Sequence, residues 1–251
     1  MFWAQGLAAN LDYDVEISEP DVSPLQLQGP KSRDIMIKIF GDEILDLKYY
    51  WFKKFTHNGV ELIISRTGWS SELGYEIFLT DSIYGNDLYN TIMDIGHPMG
   101  LKPGHTSTIR RIEGGMLSYH ADMTINTNPL ELGMDKFINL DQDFNFIGKD
   151  ALINISNQGL SRKQVGIIIE DNPMPGPNTR FWDVIKNGAV IGKVTSAVYS
   201  PRLKQNIGLA MVDIKYSDIG EELQIDNGTM ILDCKIVKKP FYDPNKSLTK
   251  S

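Results

Sequence analysis

The first half of the chain alternates runs that have the period of a strand with runs that have the period of a helix. Polar and apolar residues alternate over residues 13–18 and 25–28, as they do along a strand with one buried face. Residues 35–40 have the spacing of a short amphipathic helix. An aromatic-rich run at 49–56, the turn Asn58-Gly59 and the run 60–65 predict a hairpin, and residues 74–79 predict a further strand.

Capping residues predict three helices after these strands. Asp81 or Ser82 is placed to cap a helix that runs to about residue 96. Thr106 or Ser107 is placed to cap the next one, which two glycines at 114–115 would end. A third short helix is predicted to open at residues 148–150.

The second half has a different pattern, with short β-rich runs separated by tight turns. The runs cover residues 164–170, 184–187, 189–195, 206–213, 222–226 and 229–237. Asn187-Gly188 and Asn227-Gly228 are typical of hairpin turns. This pattern predicts a small barrel or sandwich. The polar stretch 156–163 is the predicted boundary, which gives one domain at 1–157 and a second at 163–243.

Composition and charge narrow the class of protein. A chain of 251 residues with 41% hydrophobic residues can bury a core without disulfides or metals. Its net charge of -7 argues against nucleic acid as the main partner. It has neither an apolar run of membrane-span length nor the features of a signal peptide, and its single cysteine, Cys234, fits a reducing cytosol. We therefore expect a cytoplasmic protein without nucleic-acid or membrane partners. Residues 1–7 resemble the middle of a helix, which suggests that the chain begins inside a fold.

Three segments carry the residue types from which a binding site can be built. Residues 65–78 place Glu72 and Glu76 four positions apart beside two aromatic residues. On a strand, Glu76 would face away from Tyr75 and could accept two hydrogen bonds from the edge of a flat heterocycle. Residues 109–115 carry adjacent arginines, of which only one can face a pocket, and residues 122–133 form an ordered turn. Spacing alone favours solvated glutamates and a surface Arg–Glu pair over a binding site, and it is consistent with a structural loop at residues 122–133. The four histidines lack metal-ligand spacing, so no metal site is predicted.

Taken together, these segments resemble the aminomethyltransferase family, also called the glycine-cleavage T-protein family. The matches run in order from about residue 28 to residue 242. They comprise 66–76 (RTGWSSELGYE), 111–115 (RIEGG), 127–133 (TNPLELG), 146–149 (FIGK), 192–196 (GKVTS), 200–203 (SPRL), 207–208 (IG) and 239–242 (KPFY). Within the family, residues 28–32, 68–70, 117–119 and 196–201 are most similar to dimethylsulfoniopropionate demethylases.

The resemblance implies an α+β protein with a partial folate-binding domain, built from a mixed sheet and helices, before a small C-terminal β-barrel domain. It implies tetrahydrofolate as the cofactor. Glu76, and with it Glu72, would bind the pterin edge, and Arg111 would pair with a carboxylate of the glutamate tail. The remaining residues implied in cofactor binding are the wall residues Trp69 and Tyr75 and, closing the site from the C-terminal domain, Tyr199 and Arg202.

The implied activity is transfer of a methyl or aminomethyl group to N5 of tetrahydrofolate. The sequence differs from the family pattern in two ways that affect this expectation. Ser71 stands where the family signature has glycine. The family's N-terminal portion, which includes an aspartate near the reacting nitrogen, has no counterpart in this sequence. No catalytic residue is assigned. The alternatives are the aminomethyltransferase of the glycine cleavage system, a non-catalytic folate-binding or structural module, and a folate-binding domain that serves a separate oxidase or dehydrogenase. The expected partners are folate, a small one-carbon donor and a lipoyl carrier protein, and an oligomer stays open.

Overall fold

A computed structural model describes residues 1–9 and 14–250. Its internal contacts divide the chain into two compact units. Unit 1 consists of Met1–Gly68, Glu72–Gly104 and the residues from Thr249 onward, and unit 2 consists of Trp69–Ser71 and His105–Leu248. Among the described residues, no helix is long and apolar enough to cross a membrane.

Unit 1 contains a four-stranded sheet with two of its helices packed on one face. Its strands are β1 (Ser23–Gln28), β2 (Phe52–His57), β3 (Val60–Ser65) and β4 (Gly74–Leu79), in the order β1-β4-β3-β2. Its helices are α1 (Phe2–Ala8), α2 (Ser32–Phe40) and α3 (Gly85–Gly96), with 3-10 turns at Asp42–Asp46, Ser82–Tyr84 and His97–Met99. Each of the three strand pairings is antiparallel, whereas a mixed sheet was predicted. The tight Asn58-Gly59 turn enforces this direction between β2 and β3, because a two-residue loop can only join antiparallel strands.

The core of unit 1 follows from strict alternation along the strands. Tyr75, Ile77 and Leu79 of β4 are buried, and so are Leu62 and Ile64 of β3. These side chains form one cluster with the apolar stripes of α2 and α3. The intervening residues of β4, among them Glu76, point to the opposite face of the sheet.

Two strand predictions in this unit were wrong in part. Residues 14–18 form no strand, and Tyr13 lies outside the described residues. Residues 14–18 pair with none of the four strands of this sheet, and alternation alone does not make a strand without a partner. The strand predicted at 49–56 begins only at Phe52, because Tyr50 has a positive φ of 67° and Trp51 closes a turn onto the carbonyl of Lys48.

Unit 2 is dominated by a closed six-stranded barrel. Its strands are β5 (Arg162–Ile169), β6 (Trp182–Lys186), β7 (Ala189–Ser200), β8 (Gln205–Asp213), β9 (Glu222–Asp226) and β10 (Ile231–Val237), in the order β10-β5-β8-β7-β6-β9. Its helices are α4 (Thr108–Glu113) and α5 (Lys149–Gln158). A short α6 (Ser247–Lys250) lies at the end of the described residues, where the two units meet in sequence. The barrel, not the sandwich, is therefore the correct alternative, and the predicted α+β class is confirmed.

Alternation along the barrel strands also separates its interior from an outer face that carries polar side chains. The interior is filled by inward residues such as Val165, Ile167 and Cys234. Burial raises the pKa of the Cys234 thiol to about 12, as expected for a core residue rather than a nucleophile. On the outside, α4 begins at its cap Ser107, whose hydroxyl accepts a hydrogen bond from the Arg110 amide, and packs against β7 and β8.

Candidate functional site

Glu76 of unit 1 is held in a defined orientation by two neighbouring side chains. Its Oε1 accepts a hydrogen bond of 2.8 Å from Nε2 of Gln26 on β1, the strand that pairs with β4 at this position. Its Oε2 accepts a hydrogen bond from the hydroxyl of Thr67. That hydroxyl in turn lies 2.5 Å from the hydroxyl of Ser65. An ionised carboxylate offers about four acceptor positions, so a half-buried Glu76 can accept further hydrogen bonds from a ligand.

Gln28 explains two glycines of the 66–76 segment. Its amide donates hydrogen bonds to the carbonyl oxygens of Thr67 at 3.2 Å and Tyr75 at 3.4 Å. A Cβ at Gly68 would lie 2.1 Å from its Oε1, and a Cβ at Gly74 would lie 2.4 Å from its Cδ. Only glycines therefore leave room for this amide. Gln26, Gln28 and Thr67 were not assigned to the site from sequence. The pairing of β4 with β1 places the two glutamines, and the pairing of β4 with β3 places Thr67 directly after Ser65, the residue opposite Glu76.

Tyr75 belongs to the core and not to a pocket wall, which corrects the assignment made from sequence. Its side chain is 1% exposed and packs within the hydrophobic cluster of unit 1. The cause is its position on β4, since Tyr75 shares a face with Ile77 and Leu79. Glu72 is half-buried in the segment before β4 and is not among the hydrogen-bond partners of Glu76.

Arg111 of unit 2 lies at the centre of a buried polar cluster. Its guanidinium donates to Oδ2 of Asp122 at 2.8 Å and to Oγ of Ser196 on β7 at 2.8 Å. Asp122 is 3% exposed and accepts three more hydrogen bonds, from the Ser118 amide and from the hydroxyls of Thr195 and Ser196. Both terminal nitrogens of Arg111 are thus engaged inside the protein. Binding of a ligand carboxylate by Arg111 stays a prediction. It would require Arg111 to give up its hydrogen bond to Asp122 or to Ser196 in favour of the ligand.

The ring of Trp69 lies next to the Arg111 guanidinium of this cluster. The centre of its ring lies 5.8 Å from the Arg111 guanidinium carbon, within cation–π range. The ring is half-buried. Trp69 thus lies against the arginine of the internal ion pair, and its role as a wall of a folate site stays a prediction.

A second carboxylate, Glu113, organises the residues expected to close the site. It is 1% exposed and accepts a hydrogen bond of 2.6 Å from the hydroxyl of Ser200. Arg202 lies 3.7 Å from Glu113 and stacks on the ring of Tyr242 at 4.0 Å. Arg202 is therefore anchored within unit 2. Tyr199 is half-buried near the end of β7, at the position that pairs with Asn206.

The turn at 122–133 has a structural function of its own. Asn128 and Glu131 bond each other's amides, and Glu131 holds Arg162 of β5 through two contacts of 3.1 Å. A cavity of about 450 Å³ lies beside this turn in the described part of unit 2, and its walls include Asp122, Phe181 and Met211. None of the seven residues implied in cofactor binding lines it.

Comparison with known families identifies the chain. A model described as the GCVT N-terminal domain matches residues 2–142, which is more than half of the chain, and one described as the glycine cleavage T-protein C-terminal barrel domain matches residues 162–243. The chain belongs to the glycine cleavage T-protein family. The predicted family resemblance is thereby confirmed.

Named relatives of this T-protein family member fall into two groups. Dimethylsulfoniopropionate demethylase DmdA of Ruegeria pomeroyi is 36% identical over 221 residues, which cover 88% of this chain and 60% of that protein. An aminomethyltransferase of Thermoanaerobacter pseudethanolicus is 36% identical over 239 residues, or 93% of this chain and 63% of that protein. The chain thus spans less than two thirds of the length of these relatives.

A solved T-protein structure shares the fold. The glycine cleavage system aminomethyltransferase T from Bartonella henselae superimposes with a TM-score of 0.84 at 19% identity, over 97% of this chain and 66% of that one. The fold also explains the departure at Ser71. Its φ is 55°, a left-handed conformation that glycine, the residue of the family signature, adopts without strain. A Cβ at Gly114 would lie 1.8 Å from the Ser71 hydroxyl, so a glycine there accommodates the serine.

Proposed function

We propose that this chain is the folate-binding and barrel portion of a tetrahydrofolate-dependent one-carbon transferase, and that it transfers a methyl group in the manner of dimethylsulfoniopropionate demethylases. Membership of the T-protein family supports the coarse activity. The resemblance of residues 28–32, 68–70, 117–119 and 196–201 to dimethylsulfoniopropionate demethylases supports the finer one. The division into domains at 1–157 and 163–243 stays a prediction.

The orientation of the Glu76 carboxylate is the observation that carries this proposal. Gln26 and Thr67 occupy one acceptor position on each oxygen and fix the plane of the carboxylate. The edge of a pterin presents an amino group next to a ring N–H, and these two donors match the two oxygens of a fixed carboxylate. A charge-assisted pair of parallel hydrogen bonds is both strong and geometrically specific.

The chemistry asked of the protein is chiefly positioning. In methyl transfer from a sulfonium, the S–CH₃ bond breaks, its electron pair stays on sulfur, the N5–CH₃ bond forms, and N5 gives up its proton to solvent. A sulfonium is already a good leaving group, so holding the two reactants in line supplies most of the acceleration. Glu76 would fix the pterin that carries N5. Tetrahydrofolate supplies the nucleophilic nitrogen and carries the product carbon.

Aminomethyl transfer from a lipoyl carrier protein, with release of ammonia, is the second candidate. It is favoured by the aminomethyltransferases, which are as similar to this chain as the demethylase is. A non-catalytic folate-binding module is the third, because the chain spans only 60% of the demethylase and 63% of the aminomethyltransferase.

Product analysis with two donors separates the three candidates. We expect the chain to convert tetrahydrofolate and dimethylsulfoniopropionate into 5-methyltetrahydrofolate and a thioether, and to be inactive with an aminomethylated lipoyl carrier. Ammonia release from the carrier alone would replace the first candidate by the second. Folate binding without transfer from either donor would leave the third. Glu76→Gln is expected to lower transfer, and Glu61→Gln on β3, an exposed glutamate paired with Lys54 at 2.8 Å, is the matched control.

A further inference from the structure

A buried amide on the barrel has a donor without an acceptor. Gln164 lies on β5 next to the inward-facing Val165, so its side chain points to the outer face, where it is 2% exposed. Its Oε1 accepts a hydrogen bond from the ammonium group of Lys239. This bond fixes the amide orientation, because a reversed amide would set N–H groups against the ammonium. Across residues 1–9 and 14–250, Nε2 of Gln164 has no hydrogen-bond partner, and such a buried group calls for an explanation.

Two glycines bring Lys239 to this amide. A Cβ at Gly115 would lie 3.3 Å from the Cβ of Lys239, and a Cβ at Gly166 would lie 3.4 Å from it. Side chains at these two positions would crowd the lysine stem. Their absence lets the stem lie close to the barrel and the ammonium reach Gln164.

Among the residues that the structure describes, Lys239 forms no ion pair. Burial lowers the pKa of Lys239 to about 8, Asp122 opposes this shift, and Lys163 and Lys136 add to it. Asp122 is already paired with Arg111 at 2.8 Å. At pH 7 Lys239 is therefore mostly protonated, and it donates to an amide whose N–H group has no acceptor among the described residues.

We propose that Gln164 Nε2 and Lys239 Nζ together bind a small oxyanion, either a carboxylate or a phosphate group. Both nitrogens are neighbours of one oxygen, since Nε2 shares the Gln164 amide with Oε1 and Nζ donates to Oε1. An oxyanion supplies the acceptor that Gln164 lacks and the countercharge that Lys239 lacks. A water molecule would supply the first but not the second. The site involves none of the residues assigned to tetrahydrofolate and stands independently of the proposed function.

Anion-dependent stability tests the site in the full chain. At pH 7, unfolding is measured in sodium acetate, in inorganic phosphate and in sodium chloride at equal ionic strength. We expect each tenfold increase in the bound anion above its Kd to lower the unfolding equilibrium constant about tenfold. An effect of acetate alone identifies a carboxylate ligand, and an effect of phosphate alone identifies a phosphate ligand. Identical behaviour in all three salts would overturn the proposal.

Matched lysine variants separate the site from general salt effects. Lys239→Met is expected to lose the anion dependence, whereas Lys238→Met, which changes the exposed neighbour, is expected to keep it. Non-specific stabilisation by phosphate acts on both variants alike. Equal anion dependence in the two variants would contradict the assignment.

Gln164 is tested by a substitution that supplies the countercharge internally. Gln164→Glu replaces the unpaired donor by an acceptor and pairs with Lys239, so we expect the anion dependence to disappear. A measurement on the wild-type protein does not depend on whether this variant folds. The side-chain amide resonances of Gln164 should shift saturably with the anion at pH 7, and the shift should weaken above pH 8 as Lys239 loses its proton. Resonances that do not move would refute the site.

Discussion

Removal of the Asp122 carboxylate should destabilise unit 2 far more than loss of an ordinary surface charge. Asp122→Ala leaves the Arg111 guanidinium, whose side chain is 8% exposed, without its charged partner. Breaking a buried ion pair in this way costs about 3–5 kcal/mol, because the remaining charge stays buried. The Thr195 hydroxyl also lies 3.1 Å from the carbonyl oxygen of Leu209 and can donate to it, so the loss of its hydrogen bond to Asp122 adds little to this cost. The free energy of unfolding of most domains is about 5–15 kcal/mol, so the expected loss is a large fraction of it.

Urea denaturation followed by circular dichroism measures this loss against a matched control. Asp183→Ala removes the partner of Lys193 in an exposed pair of the same unit, and we expect it to cost about 0–1 kcal/mol. The double variant Arg111→Met with Asp122→Leu should recover much of the stability, because it leaves no buried guanidinium without its carboxylate. A cost for Asp122→Ala below about 1 kcal/mol, equal to that of the control, would show that Arg111 does not depend on Asp122.

Three further predictions test the core, the barrel and the charge of Lys239. Tyr75→Ala should lower the free energy of unfolding by about 3–5 kcal/mol, because the ring is 1% exposed. The folded variant should keep the tetrahydrofolate affinity of the wild-type protein. A stable variant with weak affinity would instead place Tyr75 in a pocket wall. Gly192→Ala places a Cβ 2.2 Å from the carbonyl oxygen of Met211 and should lower the Tm by at least about 4 °C. Gly104→Ala is the control, because no heavy atom lies within 4 Å of its added Cβ, and it should keep the Tm. Equal Tm values for the two variants would refute the clash. Burial lowers the pKa of Lys239 from 10.5 to about 8, so the unfolded state binds more protons than the folded state between these pH values. The free energy of unfolding should therefore rise with pH in this window, by about 3 kcal/mol relative to Lys239→Met. Parallel pH profiles for the two proteins would contradict this.

Local signals were sufficient to predict most of the secondary structure. Asn-Gly turns located the hairpins, and Ser107 was a correct cap, because both depend on backbone conformations of a few adjacent residues. Alternation predicted that Glu76 and Tyr75 face opposite ways. It also contained the signal that Tyr75 is a core residue, since Tyr75 is in phase with Ile77.

The partners of the candidate site residues could not be predicted from local spacing. Arg111 meets Ser196 across 85 positions of sequence, and Glu76 meets Gln26 across 50. Such contacts depend on strand pairing and on the bulge of β7 between Val194 and Ser196, which leaves no mark in a short window of sequence. A glutamate such as Glu113 therefore has the same local pattern whether it is solvated or, as here, buried.

Calorimetric titration of the chain with tetrahydrofolate tests the central claim most directly. We expect the wild-type protein and Glu61→Gln to bind, and Glu76→Gln to bind ~10- to 100-fold more weakly, because a charge-assisted hydrogen bond contributes about 1.5–3 kcal/mol. Gln26→Leu should show a smaller loss, since it removes the hydrogen bond that orients Glu76 and not the carboxylate itself. Equal affinity of the wild-type protein and Glu76→Gln, or no binding by the folded wild-type protein, would contradict the account.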